Sequence, residues 1–362
     1  MGGNMGKDVA AGGESNRRPP PPPPMPLGLR LQLIGLSAAI AAVERRDGTV
    51  NRALYSVLVE HLMSVRADPS PDAATGAVRS FDFTIDAARG LWARVFAPAA
   101  AAPAATPMPV MVYYHGGGFA LFSPAVAPFD GVCRRLCGDV GVVVVSVNYR
   151  LAPEHRYPAA YDDGVDALRF LDGNGIPGLD GDDVPVDLAS CFLAGESAGG
   201  NIVHHVANRW AATWQPTAKN LRLAGIIPVQ PYFGGEERTP SELALDGVAP
   251  VVNLRRSDFS WKAFLPVGAD RDHPAAHVTD ENAELAEAFP PAMVVIGGFD
   301  PLKDWQWRYV DVLRRKGKAV EVAEFPDAFH GFYGFPELAD AGKVLQDMKV
   351  FVQRNRAARA TA

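Results

Sequence analysis

The chain has 362 residues, 48% hydrophobic and 21% charged, enough to bury a large core as one big domain or two modest ones. Its formal charge of −6 comes without a local Lys/Arg cluster, so the basic surface that a phosphate-backbone binder needs is missing and nucleic acid is excluded as an expected partner. Three cysteines without Cys-x-x-Cys spacing, Cys133, Cys137 and Cys191, read as core thiols in a reducing compartment, cytoplasmic or nuclear.

Residues 1–26 combine Gly, Asn and Ser with a proline run from Pro19 to Pro24, a composition that cannot build a core and is expected to stay a disordered tail. The apolar segment Leu27 to Val43 is interrupted by Arg30 and Gln32 and falls short of the ~20 residues of a membrane span, so an amphipathic helix is expected and a membrane span is not. A second helical pattern runs from Asn51 to Val65, with Leu54, Val57, Leu58, Leu62 and Val65 at helical spacing. Both patterns precede any strand, so residues 27–75 are expected to form a helical cap on an α/β domain spanning 76–356.

Two alternating stretches, Ser80 to Ile85 and Leu91 to Phe96, suit antiparallel strands at a sheet edge. Ala97 to Pro107 reads as a surface loop. Buried apolar runs then alternate with helical patterns: Pro109 to Tyr114, Val142 to Asn148, Ala189 to Ala194, Leu223 to Val229, Met293 to Gly297 and Ala319 to Phe325. Strands this apolar must be covered on both sides, which implies a mostly parallel central sheet with helices on both faces. Functional groups should then gather at the carboxyl ends of those strands.

Three stretches stand at such ends. Gly195-Glu196-Ser197-Ala198-Gly199 is a Gly-x-Ser-x-Gly between a strand and a helix, the signature of a nucleophile elbow with Ser197 at its strained apex. His115-Gly116-Gly117-Gly118 follows an earlier strand; its Cβ-free backbone can approach a substrate oxygen, so the amides of Gly117 and Gly118, with that of Ala198, are candidates for an oxyanion hole. Downstream come Asp300 in Gly298-Phe299-Asp300-Pro301 and His330 in Phe329-His330-Gly331, giving the chain order Ser, Asp, His. Asp304, expected to face out from its helix, and Asp327, very close in sequence to His330, are the rival acids, and Asp300 is preferred to both. His61, His155, His204, His205, His273 and His277 read as packing residues, and no carboxylate completes a metal-ligand spacing at His204 and His205.

Together with Val147-Asn148-Tyr149-Arg150-Leu151-Ala152-Pro153-Glu154, Tyr161-Asp162-Asp163-Gly164 and Phe299-Asp300-Pro301-Leu302-Lys303-Asp304, these motifs resemble the hormone-sensitive-lipase-like branch of the α/β-hydrolases, and within it the plant carboxylesterases. The resemblance covers about residues 40 to 352 and implies an α/β-hydrolase fold and a serine esterase acting on small, largely apolar esters without metal or organic cofactor. It also implies a supporting role for Arg150 and Glu154 beneath the oxyanion hole. Arg46 to Arg52, Phe233 to Thr239 and Trp261 to Pro266 are similar to segments of the gibberellin receptors, which implies the alternative of a lidded binding protein that recruits a protein partner. Those receptors keep the serine, lack the catalytic histidine and carry a serine in the third place of the oxyanion segment. This chain has His330 and Gly118 at those places, and the resemblance therefore implies an enzyme.

Overall fold

The computed structural model describes residues 21–71, 77–99, 106–179, 184–213 and 221–357. Most of the tail expected over 1–26 and of the loop expected over Ala97 to Pro107 lies outside the described residues, although Ala97 and Pro98 themselves continue a strand. In chain order, α1 (Leu27–Val43), α2 (Arg52–Tyr55), a π-helical turn (Ser56–Glu60) and α3 (His61–Met63) precede the sheet. The Asn51 side chain caps α2 by accepting from the Leu54 amide at 3.3 Å. This run stops at Met63 rather than at Val65, because Ser64 is drawn into a bridge with Val126 and the Val65 amide donates to the Ala125 carbonyl at 2.7 Å.

The sheet then builds from β1 (Val78–Asp86), β2 (Leu91–Pro98), β3 (Met108–Tyr114), β4 (Val143–Asn148), β5 (Val186–Glu196), β6 (Leu223–Val229), β7 (Ala292–Gly297) and β8 (Val320–Phe325). Its order is β1-β2-β4-β3-β5-β6-β7-β8, antiparallel across β1, β2 and β4 and parallel from β4 onward. The antiparallel edge expectation holds for β1. For β2 the antiparallel pairing holds on both sides but the edge position does not: it lies between β1 and β4 and is buried along most of its length, and of the two only β1 keeps a solvated face.

Alternation along the parallel strands sorts the core into two layers. On one face Val110, Val112 and Tyr114 of β3 pack with residues of α5 (Ala159–Asn174), α6 (Ala198–Thr213) and α9 (Lys303–Arg315). On the other, Met111 and Tyr113 pack with α4 (Ala127–Arg135) and α10 (Ala339–Ala357). Helix α1 touches both: Leu29 and Leu33 join the second layer, Ile40 and Val43 the first. Two further helices, α7 (Pro240–Leu245) and α8 (Leu254–Phe264), lie in the excursion between β6 and β7.

The layers close most tightly where β5 turns into α6. A Cβ on Gly199 would overlap the Tyr114 carbonyl oxygen, and one on Gly195 would come within 2.6 Å of the Gly199 backbone and 2.7 Å of Tyr114 O. Backbone cannot yield as a side chain can. Gly199→Ala is therefore expected to lower stability by about 3 kcal/mol or more, the upper end for overpacking. Gly131→Ala, in mid-α4 with nothing within 4 Å of the added methyl, is expected to raise it by about 0.5–1 kcal/mol through helix propensity. Urea unfolding of the two variants against the parent checks both signs.

Candidate active site

Five adjacent strands deliver the site. Gly116 to Gly118 follow β3, Ser197 follows β5, Gln230 follows β6, Asp300 lies just past β7 and His330 just past β8. Ser197 sits at φ 55°, a left-handed conformation that costs a non-glycine residue on the order of 1–3 kcal/mol. The surroundings hold it there: its amide donates to Val229 O at 3.0 Å, and its carbonyl accepts from the amides of Asn201 at 3.1 Å and Tyr232 at 2.9 Å. Helix α6 begins at the next residue, Ala198, so its amino-terminal end lies beside the serine. Gly117 and Gly118 also have positive φ, 113° and 60°, and line one cavity with Ser197 and His330.

The carboxylate of Asp300 is fully buried and saturated with donors. Its Oδ2 accepts from His330 Nδ1 at 2.8 Å, Gln306 Nε2 at 2.9 Å and Gln230 Nε2 at 3.1 Å, while Oδ1 accepts from the Leu302 amide at 2.9 Å. Gln230 also accepts the Gly331 amide at 2.8 Å through Oε1, so it fixes the backbone beside His330 as well as the carboxylate. The two rival acids go elsewhere. Asp327 is exposed. Asp304 is half-buried rather than facing out, because it accepts the Ser241 amide at 2.8 Å in the first turn of α7.

Burial works against a charge on His330, yet the Asp300 carboxylate, its hydrogen bond and the nearby Glu196 outweigh that effect and raise the imidazole pKa above its usual 6.5. His330 Nε2 is buried without a hydrogen-bond partner. Glu196 is itself raised, chiefly by burial, with His330 and Tyr333 pulling the other way. His115 behaves differently: burial lowers it to about 4, and it stacks on Tyr149 with ring centroids 4.3 Å apart, so it is a neutral packing residue.

The cavity at Ser197, about 80 Å³, adjoins a second of about 90 Å³, and both are walled by Ile40, Phe122, Glu196, Val251, Arg256 and His330. Leu33, Leu36 and Ser37 of α1 line the second cavity and Glu44, just past α1, lines the first. A larger surface groove of about 560 Å³ beside Arg156, Asp258 and Arg271 shares no lining residue with either. Beneath the glycine loop, Arg52 donates to Ala120 O and Ala152 O, both at 2.7 Å, and to Glu154 at 2.9 and 2.6 Å. Arg150 chelates the fully buried Asp163 at 2.8–3.1 Å. The supporting parts expected of Arg150 and Glu154 thus have partners. Among the described residues no three His, Cys, Asp or Glu side chains group as a metal site, and no helix is long and apolar enough to cross a membrane.

The family model for the alpha/beta hydrolase fold matches residues 111–334, from β3 to just past His330. The chain belongs to the α/β hydrolases. Within that family it falls in the hormone-sensitive-lipase-like branch. The chain is 38% identical to a gibberellin receptor of Arabidopsis thaliana over 91% of its own length and 94% of the relative's. It is 35% identical to Carboxylesterase 20 of the same plant, over 79% of its length and 86% of that protein's. Among solved structures, an esterase of Pyrobaculum calidifontis superposes with a TM-score of 0.67 at 28% identity, covering 91% of this chain and 99% of that one.

Among the polar groups of this site that sequence reasoning missed are Gln230, Gln306, Glu44 and Arg256. Gln230 carried a usable signal, since it is the first polar residue after a buried strand. The others lie on helices or at a helix end, where nothing in the local pattern separates them from surface residues.

The coupling between Asp300 and His330 has a measurable sign. In Asp300→Asn the larger of the two charges that raise the imidazole pKa is gone, and burial, which outweighs the lesser effect of Glu196, should take the His330 pKa below 6.5, whereas Asp304→Asn should leave it above. NMR titration of the His330 ring reads both. Because the folded value exceeds the unfolded one, the linked stability is full below the unfolded pKa and is lost as pH rises through the folded pKa.

Proposed function

We propose that the chain is a serine carboxylesterase that hydrolyses small, largely apolar carboxylic esters through an acyl-enzyme. The observation that carries the reading is the buried Asp300–His330 pair on the wall of the cavity that holds Ser197 and the Gly117–Gly118 backbone. Ser197 Oγ attacks the ester carbonyl carbon as His330 Nε2 takes its proton, while Asp300 holds the imidazole tautomer at Nδ1. The amides of Gly117, Gly118 and Ala198 would bind the developing oxyanion, each worth about 3 kcal/mol of transition-state stabilisation. The imidazolium then protonates the departing alcohol, and water, deprotonated by the same histidine, releases the acid and restores Ser197.

Kinship with a carboxylesterase and an esterase of known structure supports hydrolysis of esters. The apolar contribution of α1 to the cavity wall supports residues 27–75 as a cap over the catalytic domain at 76–356. A second reading, a receptor that encloses a small ligand under the cap and then engages a partner protein, is favoured by the 38% identity to a gibberellin receptor across most of the chain. His330, with its carboxylate partner, speaks for the enzyme.

Purified protein is expected to turn over p-nitrophenyl acetate or butyrate many times and to bind gibberellin weakly or not at all. Ser197→Ala and His330→Ala should each lower kcat by roughly 10³-fold or more with unchanged melting behaviour, since the two groups act as one unit. Submicromolar gibberellin binding by calorimetry without turnover would establish the receptor reading instead.

A further inference from the structure

Folding assembles a cationic groove from segments that lie far apart in the chain. Arg255, Asp258, Phe259 and Lys262 stand at i, i+3, i+4 and i+7 on one face of α8, and Glu44, Arg45 and Arg46, just past α1, form the opposite wall. The groove measures about 370 Å³ and shares only Glu44 with the cavity at Ser197. Four cations line it against two carboxylates, and both carboxylates are engaged by arginines outside it. Asp258 accepts from Arg238 at 2.5 and 2.7 Å and from Arg271 at 2.6 Å, while Glu44 pairs with Arg256 at 3.5 Å. Asp47, next along the loop, attracts Arg45 but commits its Oδ1 to the amide and hydroxyl of Thr49, at 2.9 and 2.7 Å. The groove is therefore net positive on a chain whose formal charge is −6.

The cations stand on fixed backbone. Glu44 forms a β-bridge with Val50, and the Arg45 amide donates to Thr49 O at 2.9 Å. Lys262 Nζ donates to Arg46 O at 3.0 Å, and Arg255 donates to Ala41 O at 3.4 Å. These two bonds join α8 to the end of α1 and its loop, and each ends on a carbonyl, so neither neutralises the cation that makes it. Three of the four cations are guanidinium groups, whose planar forks match phosphate oxygens two at a time. A singly charged anion satisfies one wall of the groove, whereas a diphosphate carries charge enough for both. We propose that the groove binds a small multivalent anion of the phosphate type, which bridges Arg45 and Arg46 to Arg255 and Lys262 and so clamps the end of the cap to α8. The site lies apart from Ser197 and does not rest on the esterase reading.

Calorimetry of the full chain with inorganic pyrophosphate, at about 150 mM NaCl where exposed charges more than ~8 Å apart are largely screened, tests the site. A Kd below about 1 mM is expected, weakened at least about tenfold in Arg46→Gln/Arg255→Gln. Arg354→Gln, which removes a cation of α10 that pairs with Glu321, should leave the Kd as it is. Bound pyrophosphate should also slow hydrogen exchange of the α1 amides in the parent and not in the double variant. All substituted side chains are exposed, and should the double variant fail to fold, Arg45→Gln replaces it with the same expected direction. No binding by the parent, or binding equally weakened by Arg354→Gln, overturns the site. Binding to phosphatidic acid vesicles without binding of pyrophosphate overturns it too, in favour of a membrane-facing patch. Pyrophosphate binding with unchanged α1 exchange would keep the site and overturn the clamp.

Discussion

Four hydrogen bonds to one buried carboxylate hold the site together. Asp300 gathers donors from His330 after β8, Gln230 after β6, Gln306 on α9 and its own loop, so three strand ends and a helix are locked to a single charge. An ionised carboxylate without solvent access is tolerable only because those donors replace its hydration. The rest of the geometry follows from that lock. Gln230, itself at φ 43°, anchors its amide to Val295 O at 2.8 Å and passes its side chain to Gly331, which keeps the histidine loop in register with β7.

A second constraint works from the other end of the sheet. Ser197 can stand clear of β5 only if α6 packs hard against β3, and the contact is between main chains, Gly199 against Tyr114. Gly116, the first glycine of the loop, lies two residues beyond that same tyrosine, so Ser197 and the glycine loop are positioned by one close approach of backbone. The Arg52 side chain then braces the loop from below, linking residues before the sheet to Ala120, Ala152 and Glu154.

Much of this was legible in the residues. Six of the eight strands, β3 to β8, appear as apolar runs, for the interior ones because a strand buried on both faces has no room for polar side chains, and glycine motifs at strand ends announce backbone strain. Asp300 was preferred to Asp304, expected to face out from its helix, and to Asp327, very close in sequence to His330, and the structure gives His330 the Asp300 partner. Less legible were features set by packing between distant segments. The interior position of β2 depends on which strand comes to lie beside it, and alternation in six residues does not carry that information. Glu44 and Arg256 are 212 positions apart and look like solvent-facing charges until α1 and α8 are brought together. Asp304 was misjudged for the same reason, since the backbone it caps belongs to another helix.

Helix α1 lies across both core layers, with Leu29 and Leu33 in one and Ile40 and Val43 in the other. Lifting it to enlarge the cavity would expose apolar surface of both layers at once, so widening the pocket and loosening the fold are one equilibrium seen from two sides. Guest size is thereby measured in units of core stability. A molecule that fits the two small cavities leaves the helix seated, and a bulkier one must supply, through its own buried surface, what α1 gives up. Under the proposed reading, selectivity by size would be a thermodynamic property of the amino-terminal helix as much as a matter of the shape of a hole.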